Sequence, residues 1–200
     1  MDEAPRPRRR IPLIIWAPGA LIALAVIFVV ATRPLGTGEP EPTFFVVRSA
    51  APGVQLGEIA PGTANAPGEP PLTLTDLDGN PVSLAVYDGH PTWMIFWKAD
   101  CQPCIEEDPA VEAAWAAHRD EGLVIIGVDV EDSLAVAREY LSRRPVAYPV
   151  AVDPTTAWRT TYGIWGEPTH YFLSTDGVIE DRFFGPMTTD DIEASLERIL

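Results

Sequence analysis

The chain has two cysteines, Cys101 and Cys104, separated by Gln102 and Pro103. They follow an apolar run, Thr92 to Trp97 (TWMIFW), and open a stretch with helical periodicity. Three chemistries suit a Cys-x-x-Cys pair. A structural zinc site needs two more ligands, but there is no second cysteine pair, and the histidines are His90, His118 and His170. A stabilising staple would close a long loop, whereas this loop is tiny and constrains the unfolded chain little. A reversible dithiol/disulfide couple fits best. At a helix N-terminus, free N–H groups and the helix dipole favour a thiolate on the first sulfur. Cys101 is therefore the expected nucleophile, on the rim. Cys104, one turn inward, would resolve the mixed disulfide. Pro103 suits the first helical turn, where a missing N–H costs nothing.

The neighbours of this pair carry charge. Lys98, the single lysine of the chain, lies three residues before Cys101, and Asp100 is adjacent to it. A cation favours the thiolate and a carboxylate opposes it. Glu107 lies three residues beyond Cys104 on the expected helix, placed to accept the Cys104 proton or to tune the pair. Glu106 and Asp108 flank it, so a plain acidic helix face is the simpler alternative. Further along, Gly166-Glu167-Pro168-Thr169 precedes a strand. Proline there suits a tight turn outside the ladder and is a candidate cis peptide. Trp165 and Tyr171 either build a surface beside it or pack in the core.

The elements that must position these groups begin at Leu72. Leu72 to Leu74 and Val82 to Leu84 read as two short strands around the turn Asp78-Gly79-Asn80. Thr92 to Trp97 and Leu123 to Val128 read as strands buried on both faces. Between them Val111, Trp115 and His118 share a helical stripe, and Pro109 should kink that helix by removing one hydrogen bond. Leu134, Ala137 and Leu141 mark the next helix. A short strand at Val150 to Val152, a short helix at Thr156 to Tyr162 and a hairpin around Asp176-Gly177 follow. The last helix, Asp190 to Leu200, has Thr188 as its cap and Asp191 three residues on. Strands alternating with helices imply an α/β fold with a central mixed sheet flanked by helices.

Upstream the composition changes. Residues 1–10 contain Arg6, Arg8, Arg9 and Arg10, and residues 11–31 are an uncharged apolar run. A run of this length matches the ~20 residues a membrane-crossing helix needs. The arginine bias puts residues 1–10 in the cytoplasm and the rest outside. A single-pass signal-anchor at the cell membrane is the expectation, and a cleaved signal peptide the alternative. Residues 32–71, rich in Pro and Gly, read as an extracytoplasmic linker, with Thr43 to Arg48 (TFFVVR) as a short strand or docking patch. The net charge of -15 makes nucleic acid an unsuitable partner. No glycine-rich phosphate loop is present, and no soluble cofactor or metal is expected.

The segment FWKADCQPCIEEDP resembles the active-site region of the TlpA/ResA/CcmG family of membrane-anchored, extracytoplasmic thioredoxin-like proteins. The resemblance runs from Leu72 to Leu200 through TLTDLDGNPVSL, Asp153-Pro154 and GEPTHYFLSTDGVI. It implies a thioredoxin-like fold and a thiol–disulfide oxidoreductase, of the protein-disulfide reductase type. It also implies that Pro168 is a cis proline facing the cysteines and that Glu107 tunes them. The implied partners are extracytoplasmic protein disulfides such as apocytochrome c, in cytochrome c biogenesis, and a membrane electron donor of the CcdA or DsbD kind. Asp100 and Lys98 depart from the family pattern, which has tryptophan before the first cysteine and a small residue after the Phe-Trp pair. Two other readings stay open: a disulfide oxidase or isomerase, and a copper-binding assembly protein using Cys101, Cys104 and His170. A peroxide-reducing neighbour by fold would carry a PxxxTxxC arrangement, which the sequence lacks.

Overall fold

A computed structural model describes residues 53–66 and 72–200. The expected basic terminus 1–10, membrane segment 11–31 and Thr43 to Arg48 patch lie outside the described residues. Among the described residues no helix is long and apolar enough to cross a membrane.

The strands are β1 (Thr73–Asp76), β2 (Pro81–Ser83), β3 (Thr92–Trp97), β4 (Val124–Asp129), β5 (Val150–Val152), β6 (Thr169–Leu173) and β7 (Ile179–Phe184). The helices are α1 (Gln102–His118), α2 (Leu134–Arg143), α3 (Ala157–Tyr162) and α4 (Thr189–Leu196). They form one mixed sheet in the order β2-β1-β5-β4-β3-β6-β7. β3, β4 and β5 run parallel, and β6 pairs antiparallel with both β3 and β7. This is the thioredoxin-like arrangement the sequence predicts.

β3 is central, and all six of its residues are buried. Its alternation sorts the core onto two faces. Trp93 and Ile95 pack with Val111 and Ala114 of α1 and with Ile192 and Leu196 of α4. Met94 and Phe96 pack with Trp158 and Tyr162 of α3 on the other face. Ala114 takes the position on α1 where the sequence stripe expected Trp115, which is only partly buried. Pro109 lies inside α1 on its exposed side and does not end the helix. Thr188 caps α4 in a complete capping box with Asp191, as expected.

The described part of the 32–71 segment is bound to the domain. Gly57 N and Ala60 N donate to Ile179 O and Gly177 O, and Ile179 N donates back to Glu58 O. Tyr162 Oη donates to Pro61 O at 2.7 Å, and Arg182 Nη1 to Val54 O at 3.0 Å. Gly62 is needed here: its φ is +92°, and a Cβ would come within 2.9 Å of the Trp158 ring. Proline and glycine in this stretch thus shape a segment that fits the α3 face and pairs with the start of β7.

Candidate active site

The loop from β3 to α1 is held from below. Ala99 N donates to Asp132 Oδ2 at 2.6 Å, and Asp100 takes a left-handed φ of 56°. Cys101 is then the N-cap of α1, its Sγ accepting from Cys104 N at 3.3 Å. Cys101 and Cys104 form a disulfide across the first helical turn, with an S–S distance of 2.11 Å. The expected contrast between a rim sulfur and an inner one is not seen in burial: Cys101 is 5% exposed and Cys104 9%. What separates the two is their surroundings. Cys101 receives a helix N–H, whereas Cys104 lines a groove with Glu107, Asp108, Trp97, Tyr148 and Pro168. This groove holds about 420 Å³, counting its open mouth.

Glu107 is brought to the site as the sequence expects, but buried rather than on an acidic surface: it is 4% exposed. Its Oε2 accepts from Met187 N at 2.9 Å and faces His170 Nε2 at 3.4 Å. Asp108 is half-buried, and its carboxyl is pushed up to about 6 by burial, then by the charges of Glu107 and Glu112. Burial, then Asp108, also raises the Tyr148 phenol. Gly127 lets Trp97 and Tyr148 close the groove wall, since a Cβ there would lie 3.1 Å from Trp97 Nε1 and 3.2 Å from the Tyr148 ring.

The Glu167–Pro168 peptide is cis, and Pro168 shares the groove with Cys104. Trp165 beside it is 70% exposed, while Tyr171 is fully buried in the core. His170 is also fully buried, its Nδ1 accepting from Trp93 Nε1 at 3.3 Å. Among the described residues no group of three or more His, Cys, Asp or Glu is arranged to hold a metal.

Lys98 does not reach toward the sulfurs as a free cation. Its Nζ lies 2.7 Å from Glu131 Oε2 and 3.7 Å from Glu167 Oε2. Arg159 Nη1 completes the set at 2.7 Å from both Glu131 Oε1 and Glu167 Oε1. The hydrogen bond to Glu131 raises the Lys98 ammonium and lowers the Glu131 carboxyl. This quartet ties the loop before Cys101 to the loop before Pro168. Below it lies Asp129, fully buried at the end of β4, with Oδ1 accepting from Glu131 N and Asp132 N. Among the described residues its Oδ2 has no hydrogen-bond partner. Burial pushes this carboxyl up to about 7 despite those N–H groups, and the neighbouring Asp132 adds to the rise.

Sequence reasoning missed Glu131, Arg159, Asp129 and Asp132. A lone lysine beside a redox pair was the one hint that acids elsewhere must answer it. No local pattern named which of the 29 acidic residues would do so.

A disulfide at the N-cap of the helix that follows the central strand, opposite a cis proline, defines a thioredoxin-fold thiol–disulfide oxidoreductase. The chain belongs to the AhpC/TSA family, whose model matches residues 68–182. It is similar to the thiol-disulfide oxidoreductase ResA of Bacillus cereus, 26% identical over 146 residues, covering 73% of this chain and 79% of that protein. ResA of Geobacillus kaustophilus is 29% identical over 130 residues, covering 65% and 75%. Among solved structures, StoA from Bacillus subtilis matches with a TM-score of 0.54 at 24% identity, over 62% of this chain and 94% of that one, a likeness of fold.

Proposed function

We propose that this oxidoreductase is a membrane-anchored reductase of extracytoplasmic protein disulfides, with Cys101 as nucleophile and Cys104 as resolving cysteine. The observation that carries the reading is the asymmetric setting of the disulfide. Cys101 Sγ sits at the helix cap, where N–H groups stabilise a thiolate, and Cys104 lines a groove with a buried carboxylate. In the reduced protein the Cys101 thiolate attacks a substrate disulfide, forming a mixed disulfide and expelling one substrate thiolate. Glu107 takes the proton from the Cys104 thiol. Cys104 sulfur then attacks Cys101 sulfur and expels the second substrate thiolate. The substrate gains two electrons and the protein regains its disulfide. Pro168 and the backbone before it border the cysteines and pair with an extended substrate segment.

The apolar run 11–31 anchors the chain, with residues 1–10 in the cytoplasm and 32–71 leading to the domain at 72–200. Likeness to the thiol-disulfide oxidoreductase ResA supports disulfide exchange as the reaction; the substrate we propose is a protein disulfide such as that of apocytochrome c, with electrons restored by a membrane donor of the CcdA or DsbD kind. The deciding experiment is the reduction potential of the Cys101–Cys104 couple, measured in redox buffers with mass-tagging of thiols. A value near or below about -220 mV supports the reductase. A value near about -120 mV marks an oxidant and overturns it. A Cys104→Ala variant should trap substrates on Cys101.

A further inference from the structure

The groove gives Glu107 a proton-accepting task, yet the carboxylate is almost completely buried, where a charge is costly unless something steadies it. The partner comes from another element. Indole N–H is a donor only, so the 3.3 Å contact from Trp93 Nε1 makes His170 Nδ1 an acceptor. A neutral imidazole then carries its hydrogen on Nε2. Among the described residues that nitrogen makes no hydrogen bond, and it faces Glu107 Oε2 at 3.4 Å, near enough for its N–H to steady the carboxylate. Trp93, His170 and Glu107 thus form a buried line ending beside Cys104, with the tautomer fixed at its far end.

We infer that His170 is a positioning residue for disulfide exchange: its Nε2–H, oriented by Trp93, holds the Glu107 carboxylate ready to take the proton of Cys104. His170 touches neither sulfur nor substrate, and the inference rests on Glu107 acting as the base. When Cys104 gives up its proton, the O–H bond forms on Glu107 and the S–H bond breaks. The charge that His170 had faced passes to the Cys104 sulfur as it attacks Cys101. Without the imidazole N–H the charged carboxylate loses the polar group that faces it. A higher pH is then needed to keep it ready.

The other ionisable groups of the groove are Asp108 on α1, Tyr140 on α2 and Tyr148 from the wall, with Glu112 and Arg144 acting on Asp108. Asp108, raised to about 6, is the one able to imitate an acid limb in this range.

The full-length reduced protein is mixed with Ellman's reagent. Cys101 takes one thionitrobenzoate, and attack by Cys104 releases it in a second phase independent of reagent concentration. The rate of that phase is followed against pH. His170→Phe keeps a buried ring without the N–H, and should move the acid limb up by about 1 pH unit. His170→Gln, which can accept from Trp93 and donate to Glu107, should restore the limb to within a few tenths of a unit of wild type. Trp93→Phe frees the tautomer and should give a smaller upward move. In a Glu107→Gln background the limb should vanish and His170→Phe should add nothing. The dependence on His170 should persist with Asp108→Asn.

If His170→Phe slows release without moving the limb, or moves it equally in the Glu107→Gln protein, the inference is overturned. If Glu107→Gln alone leaves the limb in place, the base role of Glu107 falls first and His170 loses its function with it. Should His170→Phe not fold, Trp93→Phe and His170→Gln decide: no move in Trp93→Phe, or a full unit in His170→Gln, sinks the proposal.

Discussion

The two faces of the sheet bury polar aromatic groups in opposite ways. On the α3 face Trp158 stacks on Tyr162, which meets Tyr171 edge-on, and each tyrosine hydroxyl ends on a backbone carbonyl. On the α1 face Trp93 donates to His170, which faces Glu107, and the line ends beside Cys104. Both faces use tryptophan and an aromatic partner from β6 or α3. One line terminates in backbone carbonyls, and the other terminates in an imidazole and a carboxylate. Backbone acceptors make a stable wall, whereas a carboxylate and an imidazole in series make a place where a proton can be handled. The same sheet therefore separates stability from chemistry by face.

Substitutions at the two faces should separate the same way. The largest expected effect is Cys101→Ser: turnover with a disulfide substrate is lost, while the oxidised protein loses only about 2 kcal/mol, because the loop is so short. An active Cys101→Ser protein in a coupled insulin-reduction assay would end the assignment of the nucleophile. Trp158→Ala should do the reverse, costing about 3–5 kcal/mol in urea unfolding while the reduction potential of the folded protein stays put. A shifted potential would mean that the faces are coupled.

Asp129→Asn sharpens the comparison through pH. The Asp129 carboxyl is raised to about 7 in the fold, so the protonated form is the one the fold prefers. Its stabilising contribution is complete below the ordinary carboxylate range and is lost as pH rises through 7. The neutral asparagine should match wild type at about pH 4 and exceed it at about pH 8 by roughly 4 kcal/mol. Equal stability at both pH values would show that Asp129 is not held protonated. The smallest effect belongs to Tyr162→Phe, which removes the hydrogen bond to Pro61 O and should cost about 1 kcal/mol with no change in the pH profile of exchange.

Local patterns carried the reading wherever local physics decides. The unbroken apolar β3, the Asp176-Gly177 hairpin and the Thr188–Asp191 capping box are visible in a few consecutive residues, and all three stand in the fold. Cys101 and Cys104 were legible because their spacing and their helix position are local too. The burial of Glu107 was not legible: it depends on the loop before α4 delivering Met187 N and β6 delivering His170, 80 and 63 residues along the chain. The Lys98 quartet draws on four separate segments, so no window of sequence contains it. Residues 53–66 misled for another reason, since proline and glycine describe a chain that cannot form its own core, which says nothing against its docking on someone else's.

That docking has a mechanical side. Tension entering the domain through the chain upstream of Gly53 meets Arg182 at Val54 and then the pairing of Ile59 with Val178. These contacts lie with the α3 face and the β7 edge, while the cysteines stand on α1 across the sheet. Along the chain from Gly53 these contacts come well before the helix cap, so a load entering there meets Val54 and Ile59 first.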